Sequence, residues 1–239
     1  MEKSDVFSKF VEPSRLTKIE PNKELKIYHG SSKEIVSQFG KGNAKCDYGL
    51  AFYCTEDRHQ ADLWACSKTG QGYTYEYSLN TNGLKVLKLN KDDALAWLAI
   101  LMSNRKVEDL SEVGELNLKD FLKKYLTIDV NDYDVIIGYR ADDSYFSFAK
   151  SFIEGNLTYE YLVEALELGK LDYQVAIKSE RAFRNLKLVN TYSLISKDLQ
   201  IEYLNRDRQA RNAFSDYRSK VAFDRRRLKN NINDIYKFL

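Results

Sequence analysis

The residues best suited to chemistry in this sequence sit where short apolar runs break off. They are Tyr28-His29-Gly30-Ser31-Ser32, Gly49-Leu50-Ala51-Phe52-Tyr53-Cys54-Thr55 and, far downstream, Tyr173-Gln174-Val175-Ala176-Ile177-Lys178. Each reads as a short strand, or the end of one, carrying a polar or aromatic group that packing does not require. Leu25-Lys26-Ile27-Tyr28 alternates apolar and polar, then stops at the turn-like His29-Gly30-Ser31. The run from Gly49 to Thr55 is too short for a helix and ends at Thr55-Glu56-Asp57, a helix N-cap signature. A histidine at a strand end and a tyrosine in a neighbouring strand can clamp a flat ligand. Alone, a histidine such as His29 at a strand end is more often a structural hydrogen-bonding residue than a ligand contact, and Tyr53 is one of 17 tyrosines.

The elements that must position these groups follow from periodicity. Residues 1–24, which hold both prolines, form an arm with a short helix at 5–11. After His29, residues 31–45 read as a short helix and a loop. A helix is expected over 56–67, with Trp64 in the core. Tyr73-Thr74-Tyr75-Glu76-Tyr77-Ser78-Leu79 alternates strictly, and 84–89 repeats the pattern after Asn82-Gly83. The two are expected to form a hairpin. A helical insertion follows, with one helix at 92–102 and another at 116–126. Residues 133–139 read as a buried strand and Arg140-Ala141-Asp142-Asp143 as the loop at its end. Helices at 144–153 and 158–168 precede the strand of Gln174. Ser179 opens a short helix, and 186–189 is a last strand.

The motifs YHGS at Tyr28, DYGLAFYCT at Asp47, QADLWA at Gln60, YDVIIG at Tyr133, ADD at Ala141 and QVAIKSE at Gln174 occur in that order across residues 25–189. Together they resemble the ADP-ribosyltransferase superfamily of His-Tyr-Glu type, and more closely a family of small bacterial domains within it. The resemblance implies an α+β architecture, the ADP-ribosyltransferase fold of two small packed β-sheets with peripheral helices, plus a C-terminal helical extension. It implies NAD as substrate, with Tyr28, His29, Gly30 and Ser31 at its binding turn. His29 would donate to a ribose hydroxyl, and Gly30 would let its backbone meet the nicotinamide amide. Tyr53 would stack on the nicotinamide ring. Gln174 stands where the superfamily usually has a glutamate holding the ribose 2′-hydroxyl. An amide can hold that hydroxyl but supplies no negative charge to an oxocarbenium-like transition state. Asp172 and Glu180 are the carboxylates to consider as substitutes. Arg140 is a candidate for a phosphate of NAD, and Asp142 and Asp143 are either acceptor-site residues or a helix N-cap.

The implied reaction moves ADP-ribose to a macromolecular acceptor, in the manner of a bacterial toxin or phage-defence effector with a neutralising partner. The alternatives are NAD glycohydrolysis, 2′-phosphotransfer, or a noncatalytic module binding a nucleotide or a protein. No metal is expected. Cys46, Cys54 and Cys66 show no ligand spacing and read as free thiols, Cys54 packed and His59 on the surface.

Composition is that of a globular chain, 44% hydrophobic and 30% charged over 239 residues. No apolar run approaches the ~20 residues of a membrane span, and Met1-Glu2-Lys3-Ser4-Asp5 has no apolar signal core behind it. A cytoplasmic location is expected. Residues 25–195 form the expected transferase-like domain and 196–239 a basic helical extension. Ten basic against five acidic residues in 200–239 give +5 where the whole chain carries +2, leaving −3 for residues 1–199. With its Arg225-Arg226-Arg227 cluster, this tail is either a solvated helix or a dock for an acidic partner or nucleic acid.

Overall fold

The alternating tyrosine run becomes the long strand on which one half of the sheet is built. The computed structural model describes residues 17–18, 23–35, 38–90, 93–105, 107–141, 143–157, 159, 161–162 and 173–222. The helix expected at 5–11, most of that at 158–168, Asp142, Asp172 and Arg225-Arg226-Arg227 lie outside the described residues. The strands are β1 (Thr17–Lys18), β2 (Glu24–Ser31), β3 (Phe52–Thr55), β4 (Gln71–Asn80), β5 (Val86–Lys88), β6 (Val135–Gly138), β7 (Gln174–Ile177) and β8 (Leu186–Ile195). They are hydrogen-bonded in the order β1-β5-β6-β7-β3-β2-β4-β8, antiparallel throughout except for the parallel pair β5–β6. The helices are α1 (Arg58–Cys66), α2 (Ala94–Asn104), α3 (Glu112–Tyr125), α4 (Asp143–Ile153), α5 (Glu180–Arg184) and α6 (Lys197–Ala222). The architecture is mixed α and β.

Register decides how the strands join. β2 and β4 pair along their length, from Glu24↔Asn80 to Ser31↔Tyr73, and β3 and β7 from Phe52↔Ile177 to Thr55↔Gln174. β2 and β3 meet only at Tyr28↔Thr55. In place of two separate sheets there is thus one strand order, hinged at a single residue pair. Leu25, Ile27, Tyr75 and Tyr77 from one half share a core with Val135, Ile137, Val175 and Ile177 from the other.

The hairpin expected between β4 and the next strand does not form. The turn is made, with Gly83 at φ 72° and Leu84 N–H donating to Thr81 O at 3.0 Å. Both edges of β4 are already occupied by β2 and β8, however, so the chain leaves it and β5 pairs with β1 and β6 instead. No helix appears among the described residues of 31–45, and the last strand runs on to Ile195.

The segment read as an insertion is the centre of the larger core. In α2 every residue from Trp97 to Met102 is buried, packed with Phe121, Phe148, Phe152, Ile136 and Ala176. A helix apolar on all sides belongs inside. Trp97 also donates from Nε1 to Tyr139 O at 3.1 Å, which satisfies its only polar atom.

Helix α1 starts as its cap predicts, with Asp57 accepting from His59 N–H at 2.8 Å. It lies against β2 and β4 through small residues on both sides. A Cβ on Gly30 would stand 2.0 Å from Ala61 O, and one on Gly72 would stand 2.3 Å from Ala65 O. Trp64 is half-buried rather than core. Helix α6 docks on α1: Arg206 Nη1 donates to Gln60 Oε1 at 2.6 Å, and His59 Nε2 lies 2.7 Å from Glu202 Oε1.

Candidate functional site

The hinge between β2 and β3 is where the first two motifs part. Beyond Tyr28↔Thr55, His29–Ser31 follow β4 while Phe52 and Tyr53 follow β7. The His29 ring spans the gap, with Nδ1 2.6 Å from Tyr53 O, and stacks on Phe52 at 4.5 Å between centroids. A carbonyl can only accept, so Nδ1 carries the proton; burial meanwhile lowers the pKa of the ring, against the pull of that bond. His29 is therefore neutral at pH 7, and Nε2 is an acceptor. The proton expected to go to a ligand is thus engaged by Tyr53 O in this structure. A cavity of about 260 Å³ opens beside it, walled by His29, Phe52, Tyr53 and the Gly40-Lys41-Gly42 turn.

Tyr53 grips the chain ahead of its own strand. Its hydroxyl donates to Gly49 O at 2.7 Å and accepts from Tyr48 N–H at 3.1 Å. Gly49 turns at φ 74°, and Lys178 Nζ donates to Tyr48 O at 2.7 Å. Burial pushes the phenol of Tyr53 well up, so the hydroxyl stays protonated.

That turn presents a carboxylate. Asp47 is buried; Oδ2 accepts from Ala141 N–H at 2.8 Å and from Gln174 Nε2 at 2.7 Å, and Oδ1 stands 3.0 Å from Arg105 Nε. Burial raises its pKa, while Arg105, the Ala141 amide, Gln174 and Arg140 pull it back. Gln174 Nε2 also donates to Tyr139 O at 3.2 Å. Asp47, Tyr53, Arg105, Arg140 and Gln174 wall a second cavity of about 410 Å³, which Tyr203, Leu204 and Arg211 of α6 also line. The Arg140 guanidinium lies 5.1 Å from the centre of the Trp64 ring.

The expected site residues divide. His29 and Gln174 line different cavities, and Tyr53 is the wall common to both. Arg140 joins Gln174. Tyr28 is buried in the sheet at the hinge pair and lines neither cavity. Gly30 is where α1 approaches β2, so the missing Cβ serves a helix. Ser31 closes its own turn, with Oγ donating to Lys33 O at 2.7 Å. Glu180 is exposed at the start of α5, 2.6 Å from Arg184, and does not line the larger cavity. Asp143 opens α4, its side chain outside the described set. Asp47 was missed as a site residue, although it heads the second motif. Its signal was a charge just before a run that becomes core.

Among the described residues no group of His, Cys, Asp and Glu is arranged to hold a metal, and no helix is long and apolar enough to cross a membrane. No curated protein and no solved structure matches the chain. Residues 25–188 match the family described as "Protein of unknown function (DUF3990)", a span that nearly coincides with the ordered motifs. Covering well over half of the sequence and both cavity-forming motif groups, that match places the chain in the DUF3990 family.

Proposed function

We propose that the protein transfers ADP-ribose from NAD to a macromolecular acceptor. The observation that carries this is a tyrosine flanked by two side chains whose donor atoms are already engaged. His29 gives its proton to Tyr53 O and retains Nε2; Gln174 gives its amide hydrogens to Asp47 and Tyr139 O and retains Oε1. One acceptor in each of the two cavities that share the Tyr53 wall suits hydroxyls of a dinucleotide reaching along that aromatic ring. The arginines around the larger cavity, Arg140 among them, suit a diphosphate. In the reaction the C1′–N bond to nicotinamide breaks and its electron pair leaves on the pyridine nitrogen. A nucleophile on the acceptor bonds to C1′, and its proton passes to solvent. Positive charge grows on the ribose meanwhile, next to a wall that includes Asp47.

The test is incubation with NAD labelled in the adenosine half, alone and with cell lysate, following nicotinamide. Release of nicotinamide with label in a macromolecular fraction is the expected result. Label confined to free ADP-ribose makes the protein a glycohydrolase, binding without release makes it a nucleotide-binding module, and no NAD binding overturns the proposal.

A further inference from the structure

The amide of Gln174 has a determined orientation, and what determines it is Asp47. The two groups nearest its nitrogen are a carboxylate oxygen at 2.7 Å and the Tyr139 carbonyl at 3.2 Å, both pure acceptors. Rotating the amide by half a turn would set oxygen against oxygen at both contacts. Among the described residues nothing donates to Oε1, and Gln174 lines the larger cavity. We propose that Asp47 is a positioning residue which turns the Gln174 amide so that its oxygen meets the substrate, the Asp47–Gln174 pair thereby doing the work of a single carboxylate. The proposal rests on the ADP-ribosyl reading for the identity of that substrate.

Electrostatics agrees with geometry. A hydrogen bond to an ionised acceptor is shorter and stronger than a neutral one, and in a poorly solvated site it polarises the donor group. Negative charge at Asp47 thus adds electron density at Oε1, on the side where the ribose would develop positive charge. Asp47 is itself held: Ala141 N–H from the chain after β6 donates to Oδ2, Arg105 from the end of α2 forms an ion pair with Oδ1 at 3.0 Å, and Asn104 Nδ2 donates to its main-chain carbonyl at 3.2 Å. The carboxylate therefore cannot swing away from the amide without breaking contacts to separate elements. A lone glutamine was the odd feature of the third motif, and a glutamine backed by a buried aspartate removes the oddity.

Exchange of the two groups tests this. Nicotinamide release, with kcat and KM separated, is compared for wild type, Asp47→Asn, Gln174→Glu and the double variant, each checked for folding by its melting temperature. Asp47→Asn lowers kcat by about 10–100-fold, the usual loss when a group orienting a functional side chain is removed, with KM for NAD little changed. Gln174→Glu puts two carboxylates at hydrogen-bond distance, and such a pair shares one proton. Its kcat gains a second carboxylate ionisation, where wild type and the double variant each have one. The other groups facing the pair, Arg105, Arg140, Cys46 and Tyr53 with Tyr203 and Arg211 of α6, are unchanged in all four proteins. The double variant restores an amide facing a carboxylate and recovers about tenfold or more over Asp47→Asn, a coupling expected only of groups in contact. A folded Asp47→Asn protein with wild-type kcat, or a double variant no better than its worse parent, overturns the proposal.

A readout independent of activity separates the two readings. In wild type the Gln174 amide hydrogen held by Asp47 exchanges slowly with solvent, and in Asp47→Ala, which leaves Tyr139 O as the one acceptor of the two, it exchanges fast. If wild type neither binds NAD nor releases nicotinamide, the ADP-ribosyl reading falls by itself. The amide signal then still decides whether Asp47 orients Gln174, its presence supporting and its absence overturning that assignment.

Discussion

His29 has one ring proton at neutral pH and gives it to the main chain across the hinge. That bond makes the residue structural as well as chemical, so His29→Ala will not leave the fold untouched. Leaving Tyr53 O without its donor costs about 1–3 kcal/mol, read by urea denaturation. The pH dependence has a definite sign. Burial holds the folded-state pKa below the ordinary 6.5, so the unfolded chain takes up the proton first. Stability from a neutral His29 is complete above pH 6.5 and is lost as pH falls below it, at up to about 1.4 kcal/mol per pH unit. His29→Gln keeps a donor for Tyr53 O and does not titrate, so its stability curve flattens over that window. An unchanged slope would show that another group is responsible.

Among the elements, the contact of α1 with β2 bears most directly on the site, because Gly30 carries both that contact and the second half of the His-Gly motif. A methyl group there meets Ala61 O at 2.0 Å and Ala65 N at 2.9 Å, main-chain atoms that cannot rotate away. Gly30→Ala should therefore lower stability by about 1–3 kcal/mol, the cost of overpacking, before any ligand is added. If the glycine serves ligand approach instead, the melting temperature holds and only KM for NAD rises. α1 in turn holds α6 through Gln60–Arg206 and His59–Glu202, and a shift of α1 reaches the cavity wall that α6 completes.

At the scale of the molecule, the larger cavity lies where the ends of β6 and β7, the residue after α2 and helix α6 come together. A ligand there binds only the folded chain. NAD at a hundredfold excess over its Kd should add about 2.7 kcal/mol to stability, which for a chain of this size raises Tm by roughly 5–10 °C. Scanning calorimetry with NAD, and with nicotinamide alone, checks this. No rise with NAD at saturating concentration would remove NAD as the ligand.

Much of the local structure was legible in the residues themselves. Alternation around Tyr75, the apolar run after Gly49 and the caps at Asp57 and Ser179 all act within a few positions, and the elements they mark are present. His29, Tyr53 and Gln174 could be singled out because each is a group that its own strand does not need. What they touch could not be read. Asp47 and Gln174 are 127 residues apart, and nothing local distinguishes a carboxylate that will be buried against an amide from one left in water. The hairpin at Gly83 failed for the same reason: its turn is a local signal, but whether β4 has a free edge depends on β2 and β8. α2 looked like an insertion because its apolar run has no polar face to indicate a direction, and only burial on every side gave it one. Local pattern chose the strands and helices; long-range pairing and burial decided which charge stands behind Gln174.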